Sequence, residues 1–230
     1  MAKAMNILNL PLLLFALIWV SPANGSLYLF GDSTPIFSTA LVSNFEIVRG
    51  NQTLFLRLVG SSDKTNRRVV VHSRSEFFDL ASHDLEELYR SNSIGFDRID
   101  DVSSSALYGA DLLIVGFSNW DWKEEEVAAV RALLARNKNV VLVTEPLVCK
   151  HTCLKSTEQI LKSLGSRLRL GPRSQKRGEW ALLADHELMR GIGAVKYGLT
   201  FTVTGGMPLM YQADGLSMLS VDEELVVSTN

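Results

Sequence analysis

Residues 111–146 read DLLIVGFSNWDWKEEEVAAVRALLARNKNVVLVTEP, and this stretch decides the fold class. Leu112 to Val115 is a continuous apolar run stopped by Gly116, the pattern of a strand covered on both faces. Asp121 followed by Glu124 matches a capping box, in which each side chain accepts a bond from an unpaired backbone N–H at a helix start. Val127, Val130, Leu133 and Leu134 then form one apolar stripe at helical spacing. Arg136 and Lys138 follow at the end, where cations favour the helix dipole. Val140 to Val143 is a second buried strand. Strand, helix and strand with short connections make a parallel crossover unit.

The pattern extends in both directions. Ser26 to Phe30 reads as a strand entering the turn Gly31-Asp32-Ser33. Asn51 is expected to open a helix that carries Leu54, Phe55 and Leu58 and ends at Gly60. Ser61 to Arg68 is a polar loop before a short buried strand, Val69 to Val71. Ser75 is expected to cap a helix with Phe77, Ala81, Leu85 and Leu88 on one side. Ser156 and Gln159 repeat the capping pattern ahead of Ile160, Leu161 and Leu164, with a stop at Gly165. After Arg177 the period changes to two: Tyr197, Leu199, Phe201 and Val203 alternate with Gly198, Thr200, Thr202 and Thr204. Gly205-Gly206 is expected to be a hairpin turn, with Met207 to Tyr211 running back and Asp214-Gly215 turning into Leu216 to Val221. The expectation is an α/β fold, a flavodoxin-like three-layer sandwich with a mostly parallel sheet and a C-terminal antiparallel meander.

The N-terminus speaks to location. Lys3 precedes the apolar run Leu10 to Val20, and Ala23 and Gly25 suit the −3 and −1 positions of a cleavage site. Residues 1–25 therefore read as a secretory signal peptide, too short to span a bilayer comfortably. Its removal leaves residues 26–230 as one domain and moves the formal charge from −2 to −3. The expected location is outside the cell or in the periplasm, with no membrane span after signal removal. A near-neutral chain argues against nucleic acid as a partner. The two cysteines, Cys149 and Cys153, are expected to pair in an oxidising compartment. A metal reading through His151 lacks a fourth ligand, so no metal and no cofactor are expected.

In an open parallel sheet, ligands bind beyond the carboxyl ends of the strands. The residues expected there are Gly31, Asp32 and Ser33; His72 and Ser73; Ser118, Asn119 and Trp120; Thr144 and Glu145, with Asn51 on the same side. Most of these types also cap helices and satisfy turns; Glu145 is the least readily explained so, since a cap rarely needs a Glu before Pro. Trp120 and Trp122 suit sugar stacking, or fill a gap between helix and sheet. Arg167, Arg169, Arg173, Lys176 and Arg177 form a basic cluster read as a solvated loop. Asn24-Gly25-Ser26 and Asn51-Gln52-Thr53 match the glycosylation pattern. The first spans the cleavage point. A glycan at Asn51 would occupy the rim.

The order of Gly50-Asn51-Gln52, Ala110 to Pro146, Ala184 to Ile192 and Val203-Thr204-Gly205-Gly206 resembles the class I glutamine amidotransferase-like superfamily, in particular secreted bacterial proteins of unknown function with that fold. The resemblance covers roughly Asn44 to Tyr211. Enzymes of that superfamily carry a Cys nucleophile on a Gly-x-Cys-x-Gly turn after the strand matching Val140 to Val143. Here that place reads Thr144-Glu145-Pro146, without Cys or flanking Gly. Leu29-Phe30-Gly31-Asp32-Ser33 also resembles the nucleophile block of GDSL-type esterases, which implies Ser33 as nucleophile. The Gly-x-Asn-Asp and Asp-x-x-His blocks of those enzymes are missing, and Asp185 and His186 are adjacent. The leading expectation is a secreted, non-catalytic module that binds a small molecule, glycan or protein. The alternative is a divergent hydrolase using Ser33 or carboxylate chemistry at Glu145.

Overall fold

The structure is a computed structural model, and it describes residues 25–37, 46–60, 66–72, 76–116, 120–149, 151–174, 180–223 and 225. Residues 1–24, which hold all of the expected signal peptide but Gly25, lie outside the described residues, as do Ser73, Ser75, Ser118, Asn119, Lys176 and Arg177.

Ten strands and their helices follow in order: β1 (Leu27–Phe30), α1 (Thr34–Phe37), α2 (Glu46–Leu58), β2 (Arg68–His72), α3 (Glu76–Ser91), β3 (Gly95–Ile99), β4 (Leu112–Val115), α4 (Glu124–Ala135), β5 (Asn139–Val143), α5 (His151–Leu164), β6 (Arg169–Arg173), β7 (Leu182–Leu183), a 3-10 turn (Glu187–Met189), β8 (Phe201–Thr204), β9 (Met207–Tyr211) and β10 (Ser217–Asp222). Eight strands form one sheet in the order β3-β2-β4-β5-β1-β10-β9-β7. From β3 to β1 all neighbours are parallel. From β1 through β10 and β9 to β7 they are antiparallel. The expected sandwich with a parallel core and an antiparallel C-terminal meander is the observed architecture.

The continuous apolar runs are explained by burial on both faces. Tyr28, Phe30, Val69, Val71, Leu112, Ile114, Val141 and Val143 pack with Leu54, Phe55 and Leu58 of α2 and Leu85, Leu88 and Tyr89 of α3. Leu27, Leu29, Val70, Leu113, Val115, Val140 and Leu142 pack with Val127, Val130, Leu133 and Leu134 of α4 and Ile160, Leu161 and Leu164 of α5. Successive side chains of one strand thus feed opposite layers. At the start of β4, Asp111 is buried and accepts from Arg68 N at 3.0 Å and Lys138 Nζ at 2.6 Å. It ties β2 to β4 and to the entry of β5. Asp111→Asn keeps an acceptor for Arg68 N but loses the ion pair, and is expected to cost about 1–2 kcal/mol in urea denaturation.

Several local expectations are corrected. Helix α2 begins at Glu46, so Asn51 lies in its middle rather than opening it. Only half of a capping box forms at α4, and it sits two residues later than expected. Glu126 accepts from Lys123 N at 2.9 Å, while Asp121 is exposed and pairs loosely with Lys155. Ser156 and Gln159 are inside α5, which starts at His151. Gln159 instead receives Trp122 N and donates to Trp122 O, both at 3.1 Å. Gly205 and Gly206 do adopt positive φ, 74° and 63°, yet they join no hairpin. β8 pairs with β6 in a separate two-stranded sheet, and β9 pairs with β10. The described part of the basic cluster is not a free loop either, because Arg169 to Arg173 form β6. Arg167 pairs with buried Asp222 at 3.2 Å.

Candidate functional site

The carboxyl ends of β1 and β5 are adjacent, because these strands pair in register from Leu27 and Val140 to Phe30 and Val143. That register brings the turn after β1 against the turn after β5. Thr144 locks the two together, its N–H and hydroxyl both donating to Phe30 O, at 3.0 and 2.8 Å. Ser33 donates its hydroxyl to Glu145 Oε2. The other carboxylate oxygen of Glu145 receives Leu147 N at 3.0 Å. Asp32 accepts from Thr34 N at 3.0 Å, Thr34 Oγ1 at 2.9 Å and Gly198 N at 2.6 Å. It thereby anchors the segment that leads into β8.

These groups are a buried polar floor rather than an open rim. Asp32, Ser33, Asn51, His72, Thr144 and Glu145 are each 5% exposed or less. Burial pushes the Asp32 carboxyl up from 3.8 to about 6. The bonds from Thr34 and Gly198 oppose this rise and the nearby charge of Glu145 adds to it.

Asn51 stands at the same edge, since its Nδ2 donates to Pro35 O at 3.1 Å. The nitrogen that a glycan would need is therefore fully buried and already committed, which corrects the expectation of Asn51 as a glycosylation site. Among the described residues its Oδ1 has no hydrogen-bond partner. The turn between β9 and β10 lies at this edge too, because β10 runs antiparallel to β1 and Met218 O accepts from Gly31 N. That turn carries Gln212, 1% exposed, with neither its Oε1 nor its Nε2 paired among the described residues. Sequence reading passed over Gln212; only the pairing of β10 with β1 brings it to this edge.

His72, His83 and His186 are each held away from Ser33. His72 ends β2, three strands from β1, with Nε2 at 3.0 Å from Asp100 O. His83 Nδ1 lies 3.2 Å from Arg98 Nη2. His186 Nδ1 accepts from Leu188 N, and His186 lines a cleft with Ser26 and Tyr28 at the opposite end of the sheet. Trp120 packs edge-on against His72 at 4.3 Å between ring centroids and is half-buried. Trp122 is buried among α4 and α5 residues, the gap-filling role rather than a stacking platform. Cys149 and Cys153 are joined by a disulfide. It spans from the Glu145 turn into α5, and Cys149 N donates to Glu145 O at 2.6 Å. No group of three or more His, Cys, Asp or Glu among the described residues is placed to hold a metal ion.

No protein-family model and no curated protein matches the chain. Part of it overlays on solved structures of a much larger protein. The IMPa metallopeptidase from Pseudomonas aeruginosa gives a TM-score of 0.38 at 17% identity. The IMPa metallopeptidase in complex with T-antigen gives 0.39 at 17% identity. Both overlays cover 61% of this chain and 15% of that one.

Proposed function

We propose that this chain is a secreted, non-catalytic binding module on an amidotransferase-like framework, with its ligand received at the carboxyl edge of the sheet. One contrast carries the reading. The groups suited to chemistry, Ser33 and the carboxylates of Asp32 and Glu145, are spent on one another and on backbone N–H groups. Among the described residues, the buried side-chain atoms without a hydrogen-bond partner at this edge include those of two neutral amides, Asn51 Oδ1 and both ends of Gln212. Buried amides without partners are uncommon, and they suit hydrogen bonding to a neutral hydroxylated or amide-bearing ligand. The Cys149–Cys153 disulfide and the apolar N-terminal run support export. Among the described residues no helix is long and apolar enough to cross a membrane.

A hydrolase is the second reading, and Glu145 favours it by accepting the Ser33 hydroxyl as a general base would. Short-chain p-nitrophenyl esters separate the two. No turnover is expected from the purified protein or from Ser33→Ala. Turnover that disappears in Ser33→Ala would replace the binding module with an esterase. Thermal melts against a panel of neutral sugars and peptidoglycan fragments complete the test. At least one is expected to raise the melting temperature of the wild type but not of Gln212→Leu. A panel that shifts neither protein would remove the binding reading.

A further inference from the structure

The opposite end of the sheet has its own cleft, of about 820 Å³, which lies within the range of small-molecule sites. It opens where the first residues of β1 and β5 meet α2 and the segment around the 3-10 turn. Its lining includes Tyr28, Arg57, Arg67, His186, Arg190 and Glu223. Arg57 braces one wall, donating through Nη1 to Leu188 O at 2.9 Å and Arg190 O at 2.5 Å. Arg67 and Arg190 differ from it. Among the described residues their guanidinium groups make no hydrogen bond and no ion pair, although Arg68, Arg90, Arg98, Arg131 and Arg169 all do.

The charge around the cleft is mixed. Arg57 ends α2 at this edge of the sheet, where the helix carbonyl ends carry partial negative charge and favour cations. Glu223 faces His186 Nε2 at 3.4 Å, and Glu187 is the other acid of the lining. Two unpaired guanidinium forks match the geometry of a carboxylate, sulfate or phosphate. The two acids disfavour a polyanion and suit one compact charged group.

We propose that this cleft is a second binding site, which takes a small polar ligand through a single oxyanion group held by Arg67 and Arg190. This inference is independent of the amide site at the carboxyl edge. The probes are inorganic phosphate, sulfate and glucuronate, with glucose as the uncharged control, each titrated calorimetrically into the purified protein at low salt. Saturable binding is expected for at least one oxyanion and not for glucose, with affinity falling as salt rises. Arg67→Ala and Arg190→Ala are each expected to weaken it at least about fivefold and the double variant to abolish it. Arg49→Ala, an exposed arginine outside the cleft, is expected to change nothing. Phosphate or sulfate binding without glucuronate would assign an ester ligand, and the reverse a carboxylated one. Absence of saturable oxyanion binding overturns the proposal. So does binding that survives the double variant and is lost in Gln212→Leu, which would move the anion to the carboxyl edge.

Discussion

Gly50→Ala is expected to destabilise the protein by about 3 kcal/mol, the upper end of ordinary overpacking costs. Local propensity argues for the opposite sign. Gly50 lies inside α2, and alanine in a helix interior is favoured over glycine by about 1 kcal/mol. The tertiary contact overrides this preference. A Cβ at Gly50 would stand 1.8 Å from Ala194 O, with Ile192 Cγ2 at 3.4 Å. The nearest atom is backbone, so no rotamer change relieves the clash. Helix α2 or the 192–194 segment must move, and the buried Ile192 and Val195 move with it. Thermal melts should show a drop of about 6–12 °C for a domain of this size. A variant as stable as the wild type would mean that the 192–194 segment is not seated against α2.

The second large effect is a pH dependence centred on Asp32. Its carboxyl is raised in the folded protein from 3.8 to about 6, chiefly by burial. A raised carboxyl binds its proton more readily in the folded than in the unfolded chain. Its contribution to stability is therefore fully present below about pH 4 and is lost as pH rises through about 6. The shift corresponds to about 3 kcal/mol at most between those limits. Asp32→Asn removes the titration. It also turns an amide N–H₂ toward one of the donors that Asp32 now satisfies, Thr34 or Gly198, so the variant is less stable than the wild type at acid pH. That deficit should shrink by up to about 3 kcal/mol between pH 4 and pH 7.5 in urea denaturation. A deficit that stays constant or widens toward neutral pH would show that the bonds from Thr34 and Gly198 outweigh burial.

The parts of the fold that were legible share one property. β1, β2, β4 and β5 are short apolar runs because both faces are covered, and α4 shows its stripe because one face packs on the sheet. β3, β6 and β7 were missed because their sequences lack that signature. Phe96 is the single buried residue of β3, and β6 contains Gly171 and Pro172 with no fully buried position. The glycines at 205 and 206 announced a turn correctly, since only φ was at stake. Which strand each arm would join was decided elsewhere, by β10 binding β1 and offering its other edge to β9.

The candidate site divides in the same way. Asp32, Ser33 and Glu145 were placed at one edge from strand order alone, as was the pairing of Cys149 with Cys153 from spacing. That Ser33 and Glu145, 112 residues apart, close on each other had no local trace. Nor did the burial of Asn51 under the turn after β1, which removes it as a glycan acceptor.

By itself the amino-acid sequence determined the alternation of buried strands and amphipathic helices, and with it the parallel core and the edge where polar turns gather. Those features rest on periodicity and turn chemistry, which act over a few residues. The tertiary structure alone decided which of the gathered side chains satisfy one another, which amides are left unpaired, and why a glycine is required inside α2. These outcomes depend on distances between segments far apart in the chain. A hydrogen bond or a steric limit of that kind appears only when the layers have closed.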